Sequence, residues 1–266
     1  MSAAGGGSRH RRIFVPVLAT LTALAWLSLW AWGRSPYGRY LDHGDWTASG
    51  PAAFLCRAIP AGDVLVPALL YGVAWIVMTA AMMLPTTLPL FNAFDRLTAD
   101  RADHGRLLAL LGLGYVAVWG AFGLLAHAAH GALLSLLERM PTLAWHGWVI
   151  GAATFALAGA FQFSRLKHRC LEKCRTPLSF VIEHWRGRAQ ARHAFALGAH
   201  HGLFCVGCCW ALMLLMFAVG AGSLGWMLLL AAAMAIEKNV RWGRRLSTPL
   251  GVALLGWAAV LVATNA

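Results

Sequence analysis

The chain has 266 residues, of which 59% are hydrophobic and 12% charged, with 22 Lys and Arg against 10 Asp and Glu. Soluble domains carry about 25% charged residues. A soluble enzyme, a disordered protein and a coiled coil are therefore excluded, and a polytopic membrane protein remains. The net charge of +12 is assigned to loops that hold topology rather than to nucleic acid, and six Cys without framework spacing do not read as a disulfide scaffold.

Residues 1–12 read as a disordered basic tail with Arg9, Arg11 and Arg12. From there the chain reads as one transmembrane helical domain, 13–266. It is an all-α polytopic membrane helix bundle of about seven transmembrane helices, at roughly 13–32, 64–84, 107–126, 144–163, 194–219, 222–236 and 248–264. No Lys, Arg, Asp or Glu falls inside these limits. Most of them reach the ~20 residues that cross a hydrocarbon core. The sixth is short, and either thins the bilayer or extends through Glu237. The first is too long for a signal peptide and has no clean A-x-A site after it. With the N-terminus inside, 18 Lys and Arg lie in inner segments and 4 in outer ones, which gives an N-in/C-out orientation.

The outer stretch 33–63 contains Asp42, His43, Asp45 and Cys56. Met78 and Met82 stand at i and i+4 in the inner half of the second segment, where they are expected to face the fifth. Pro85 and Pro89 are expected to end or kink that helix and to free backbone carbonyls at the inner mouth. His127 and His130 end the third segment and His146 opens the fourth. These three imidazoles near one interface read either as an uptake site for Cu(II) or Zn(II) or as ordinary interfacial residues.

The inner loop 164–193 carries Cys170 and Cys174 in KHRCLEKCR, a C-x3-C spacing that puts both on one helical face. The cytoplasm keeps them reduced, and the neighbours Lys167, Arg169, Lys173 and Arg175 favour thiolate. A cytoplasmic metal relay and a basic segment lying on anionic lipid are both open readings. Two Cys are too few for a closed zinc site.

The fifth segment contains HHGLFCVGCCWALMLLMF at 200–217. At about 100° per residue, His201, Cys205, Cys208, Cys209 and Met216 fall in one arc of about 100°, with His200 beside them. Imidazole, thiol and thioether together suit copper first and zinc second, as a bound transition metal ion. The alternative is plain packing, with Cys as small apolar residues and Gly202 and Gly207 admitting close helices. Glu237 follows Met234 by three residues and shares its face. A carboxylate at a membrane boundary is a functional candidate, or it pairs with Lys238 or a loop Arg.

AMMLP at 81–85, KHRCLEKCRTPLSF at 167–180, HGLFCVGCCWALM at 201–213, and Trp226–Met227 with Glu237–Lys238 together resemble a bacterial family of predicted metal-binding integral membrane proteins, a domain of unknown function. The resemblance covers roughly 64–240. It implies a metal role for His201, Cys205, Cys208 and Cys209, with Met82, Cys170, Cys174 and Glu237 at matching motif positions.

The expected function is therefore the handling or transport of a soft transition metal, copper foremost, by a multi-pass protein of the bacterial inner membrane. Its partners are the lipid bilayer and a metal chaperone or membrane complex, with no nucleic acid. A membrane thiol/redox enzyme is one alternative, although Cys208 and Cys209 point about 100° apart and are poorly set for a bridge. A structural membrane subunit is the other. No P-loop, G-x-S-x-G elbow or H-E-x-x-H helix supports an enzyme by those routes.

Overall fold

Residues 6–34, 65–139, 147–185, 190–219 and 223–265 are described by a computed structural model, and among them every regular element is a helix. The helices are α1 (Gly6–Gly33), α2 (Leu65–Met83), α3 (Leu88–Thr98), α4 (His104–Arg139), α5 (Gly147–Phe161), α6 (Arg165–Arg175), α7 (Pro177–His184), α8 (Gln190–Val219), α9 (Leu224–Asn239) and α10 (Ser247–Asn265). Short 3-10 turns at Leu84–Thr87 and Gly243–Leu246 join α2 to α3 and lead into α10.

Five stretches are long and apolar enough to cross a membrane: Pro16–Gly33, Tyr71–Thr98, His104–Leu133, Gln190–Val219 and Gly243–Asn265. The pair α5 and α6, bent by 63°, makes a sixth if taken as one broken span. At 16 residues α9 is shorter than the five, and it runs on through Glu237 to Asn239.

Several boundaries differ from those expected. Gly6–Arg12, read as part of a disordered tail, forms the first two turns of α1. The apolar third segment continues as helix through His127 and His130 to Arg139. The inner stretch 164–193 is mostly helix rather than loop, folded as α6, α7 and the first turn of α8. Ser164 caps α6, its side chain accepting from the Lys167 backbone N–H at 3.1 Å, and so satisfies one of the orphan donors of a helix start. Amphipathicity explains why α6 folds inward. Lys167, Cys170, Leu171 and Cys174 are its buried face, an i, i+3, i+4, i+7 stripe.

Pro85 does break the α2 ladder, and two carbonyls at the helix end are met by hydroxyls. The Thr86 hydroxyl donates to the Met83 carbonyl at 2.7 Å, and the Thr87 hydroxyl donates to the Leu84 carbonyl at 2.7 Å. Nearby hydroxyls commonly re-satisfy a proline-broken helix in an apolar setting.

The long helix α8 is the axis of the fold. It packs on α4, α5 and α6, and also touches α7 and α9; α10 packs on α5, α1 on α2, and α2 on α4. Glycine sets how close α4 and α8 come. A Cβ at Gly198 would fall on the Leu111 carbonyl oxygen, and one at Gly114 on the Phe195 carbonyl oxygen. Only residues without a side chain let the two backbones meet this closely.

Candidate metal centre

The thiols of α8 do not stand alone. Cys205, Cys208 and Cys209 are each at most 2% exposed, and the buried face of α6 brings Cys174 against them. Its Sγ lies 4.0 Å from that of Cys208. Cys170 packs elsewhere on the same helix pair, its Sγ 2.7 Å from where a Cβ on Gly207 would sit. Cys170 and Cys174, expected in a loop apart from the membrane cysteines, are therefore buried on α8, and Cys174 joins the α8 cluster itself.

The other side of the cluster is closed by α9, α4 and the end of α2. Lys238 Nζ stands 3.0 Å from Cys205 Sγ, 3.8 Å from Cys209 Sγ, 3.5 Å from Met83 Sδ and 3.4 Å from Thr86 Oγ1. Tyr115 Oη shares a 3.0 Å hydrogen bond with Cys205 Sγ. Met83 Sδ is 3.9 Å from Cys209 Sγ. Lys238 is only 6% exposed, and among the described residues it has no carboxylate partner. A buried cation is expensive unless an anion or equivalent faces it. Here what faces it is sulfur, and a Cys205 thiolate is the anion within reach.

The thiols are converged but not yet arranged around a point. Cys208 Sγ donates to the Cys205 carbonyl at 3.1 Å, and Cys209 Sγ donates to the same oxygen at 2.8 Å. Two of the sulfurs are thus parked on their own helix. Accordingly, among the described residues no three His, Cys, Asp or Glu side chains already form a metal-holding group. One separation already fits: sulfurs at about 2.3 Å from one metal in a trigonal plane lie about 4 Å apart, and Cys174 and Cys208 are 4.0 Å apart.

His201, one turn before Cys205, is 3% exposed and has no hydrogen-bond partner for its Nδ1. Its ring faces Tyr115 and Phe180, with centroids 6.2 and 5.7 Å away. His200 points outward and is exposed. Met78, Met82 and Met216 are buried in the same core as the thiols, but the thioether touching a thiol is that of Met83, one residue past Met82.

Glu237 is not turned to the sulfurs. Lys167 Nζ donates to both of its carboxylate oxygens at 2.7 and 2.8 Å, and Ser247 Oγ donates to Oε1 at 2.6 Å. Lys167 also donates to Gln162 Oε1, and Arg175 donates to the Glu237 carbonyl. The expected partner of Glu237 was Lys238 or a loop Arg; its ion-pair partner is Lys167. His127 stacks on Tyr71 at 4.3 Å, and His130 faces Phe217 at 5.4 Å. The proposed third member of that group, His146, lies outside the described residues, as do Asp42, His43, Asp45 and Cys56.

Lys238, Tyr115, Met83 and Thr86 escape the sequence reading. One signal for Lys238 is present: at i+4 from Met234 it flanks that residue's buried face, as Glu237 does at i+3, and the two point about 100° apart.

No curated protein and no solved structure matches this chain. A model of the family described as copper chaperone, PpoB2, matches residues 72–261, a span that includes every side chain of the cluster. The chain belongs to this copper chaperone family.

Proposed function

We propose that the protein is an integral membrane copper chaperone whose cargo, Cu(I), is held by Cys205, Cys208 and Cys174, with Cys209 and Met83 alongside, His201 one turn away and Lys238 as counter-charge. The carrying observation is the meeting of thiols from two helices, α6 and α8, around one buried ammonium. Cysteines used only for packing give no reason to bury a lysine among them without a carboxylate. Soft thiolates suit Cu(I) over hard cations.

The charge count is favourable. Cu(I) with two thiolates carries one net negative charge, which Lys238 cancels in an apolar interior. With Cys205 already a thiolate opposite Lys238, binding forms one Cu–S bond to that thiolate and replaces one S–H bond by a second Cu–S bond; the copper stays monovalent and one proton leaves to bulk water. The seven-span, N-in/C-out arrangement accompanies this reading. Entering from the inside, α8 would carry Cys205 about 16 Å beyond Ala194, near the bilayer middle. Reporter fusions should place residue 266 outside and residue 180 inside.

The test is Cu(I) titration of the detergent-purified full chain under reducing conditions against a chromophoric Cu(I) chelator. One tightly held Cu(I) per chain, lost in Cys205→Ser and Cys208→Ser proteins that still elute as folded monodisperse species, is the expected result. No competition by the unmutated chain would end the reading.

A further inference from the structure

All methionines in the described residues are inside. Met78, Met82, Met83, Met213, Met216, Met227 and Met234 are each at most 4% exposed and all belong to the core that holds the thiols. Leucine, the ordinary apolar filler, occurs both in this core and widely on the exposed surface, where no described Met is found. Filler alone does not explain this sorting, because Met and Leu are close in volume and interchangeable in cores.

The seven thioethers lie on three helices and in stripes. On α8, Cys205, Cys209, Met213 and Met216 follow i, i+4, i+8, i+11, an arc of about 80°. On α9, Met227, Met234 and Lys238 follow i, i+7, i+11, an arc of about 40°. On α2, Met78 and Met82 are i and i+4. Fixed contacts set these stripes against one another. Met83 meets Cys209 at 3.9 Å, and Trp75 meets Phe217 with centroids 6.1 Å apart. Eight residues separate both members of these pairs, so α2 runs antiparallel to α8 and Met78 stands level with Met213. α8 ends at Val219 and α9 begins at Leu224, a separation short enough to bring the chain back alongside α8; with Lys238 at Cys205 and Cys209, an antiparallel α9 puts Met234 near the Cys209–Met213 level and Met227 near that of Met216.

We propose that these methionines form a Cu(I)-binding column, a second metal-binding stretch that carries the ion between the thiol cluster and the Met216–Met227 level. This rests on the copper reading of the thiols. The column rises about 10 Å from Cys209 to Met216 at 1.5 Å per residue. Thioethers are neutral, so an ion moves along them with no proton or electron transferred: each step breaks one Cu–S(thioether) bond and forms another. Weak neutral soft ligands pass a monovalent soft ion and disfavour Zn(II). The far end of the column lies beside Phe217, next to Tyr71 and the His127 ring, whose Nδ1 is buried without a hydrogen-bond partner. An imidazole there gives the ion a ligand at the mouth.

The probe is Ag(I), a redox-inert monovalent ion. A full chain with Cys170, Cys174, Cys205, Cys208 and Cys209 all changed to Ser should still bind Ag(I). Adding Met213→Leu, Met216→Leu, Met227→Leu and Met234→Leu should abolish that binding. In the cysteine-intact protein the same four Leu changes should slow Cu(I) loading at least ~10-fold. Should the Leu protein not fold, selenomethionine-labelled Met83→Leu protein loaded with Cu(I) should show selenium–copper scattering at the selenium absorption edge. If the unmutated chain binds Cu(I) but the Ser protein takes up no Ag(I) and selenium sees no copper, the column is refuted and the thiol reading stands. If the unmutated chain binds no Cu(I), the thiol reading has failed as well.

Discussion

Lys238→Met retains most of the stem volume and removes the charge from the sulfur cluster. The ammonium lies 3.0 Å from Cys205 Sγ and 3.8 Å from Cys209 Sγ. A copper ion held by Cys205, Cys208 and Cys174 spreads the negative charge over those sulfurs, with the ammonium at about 4 Å from it. At that distance and an effective dielectric of about 20, the attraction is about 4 kcal/mol. Relaxation of Thr86 and Tyr115 toward the anion recovers part of it. Cu(I) affinity should therefore fall roughly 100- to 1000-fold, at about 1.4 kcal/mol per tenfold. Competition against chelators of graded Cu(I) affinity reads this directly, and a melting curve in detergent confirms that the variant is folded. Unchanged affinity would show that Lys238 does not neutralise the bound ion. Tighter binding would show that the ammonium blocks the site.

Glu237→Gln strips the charge partner from Lys167, which is fully buried; loss of one member of such a pair costs about 3–5 kcal/mol, read as a lower melting temperature. Lys167→Met in the Glu237→Gln background should recover much of that loss. Gly198→Val drives a side chain into the Leu111 carbonyl and should destabilise the α4–α8 contact by at least the ~1–3 kcal/mol of an overpacked core, seen in the same assay. Cys174→Ser should weaken Cu(I) binding at least ~10-fold, whereas Cys170→Ser should leave it within about twofold, because only Cys174 lies with the α8 sulfurs.

Hydropathy reveals helices because apolar length is a local property. It therefore locates α2, α8 and α10 closely, and the start of α4. It misplaces what depends on partners. The stretch around Cys170 and Cys174 is too charged to look buried, yet its cysteines share one buried face, on which Lys167 is the one charge. Only the three-dimensional packing against α8 shows which face turns inward. Likewise the i, i+4, i+7 spacing of His201, Cys205 and Cys208 is legible along one helix. That Lys238 and not Glu237 meets the thiols depends on the rotation of α9, which Lys167 and Ser247 fix from other helices. Met82 and Met83 point about 100° apart on α2, and that Met83 meets Cys209 depends on the rotation of α2 against α8, which no periodicity count supplies.

Copper-edge X-ray absorption of the Cu(I)-loaded full chain tests the central claim most directly. The account predicts monovalent copper with an all-sulfur shell of two to three ligands at about 2.2–2.3 Å, replaced by a lower-sulfur shell or lost copper in Cys205→Ser. A shell of nitrogen and oxygen alone, or an unchanged spectrum in Cys205→Ser, would contradict it.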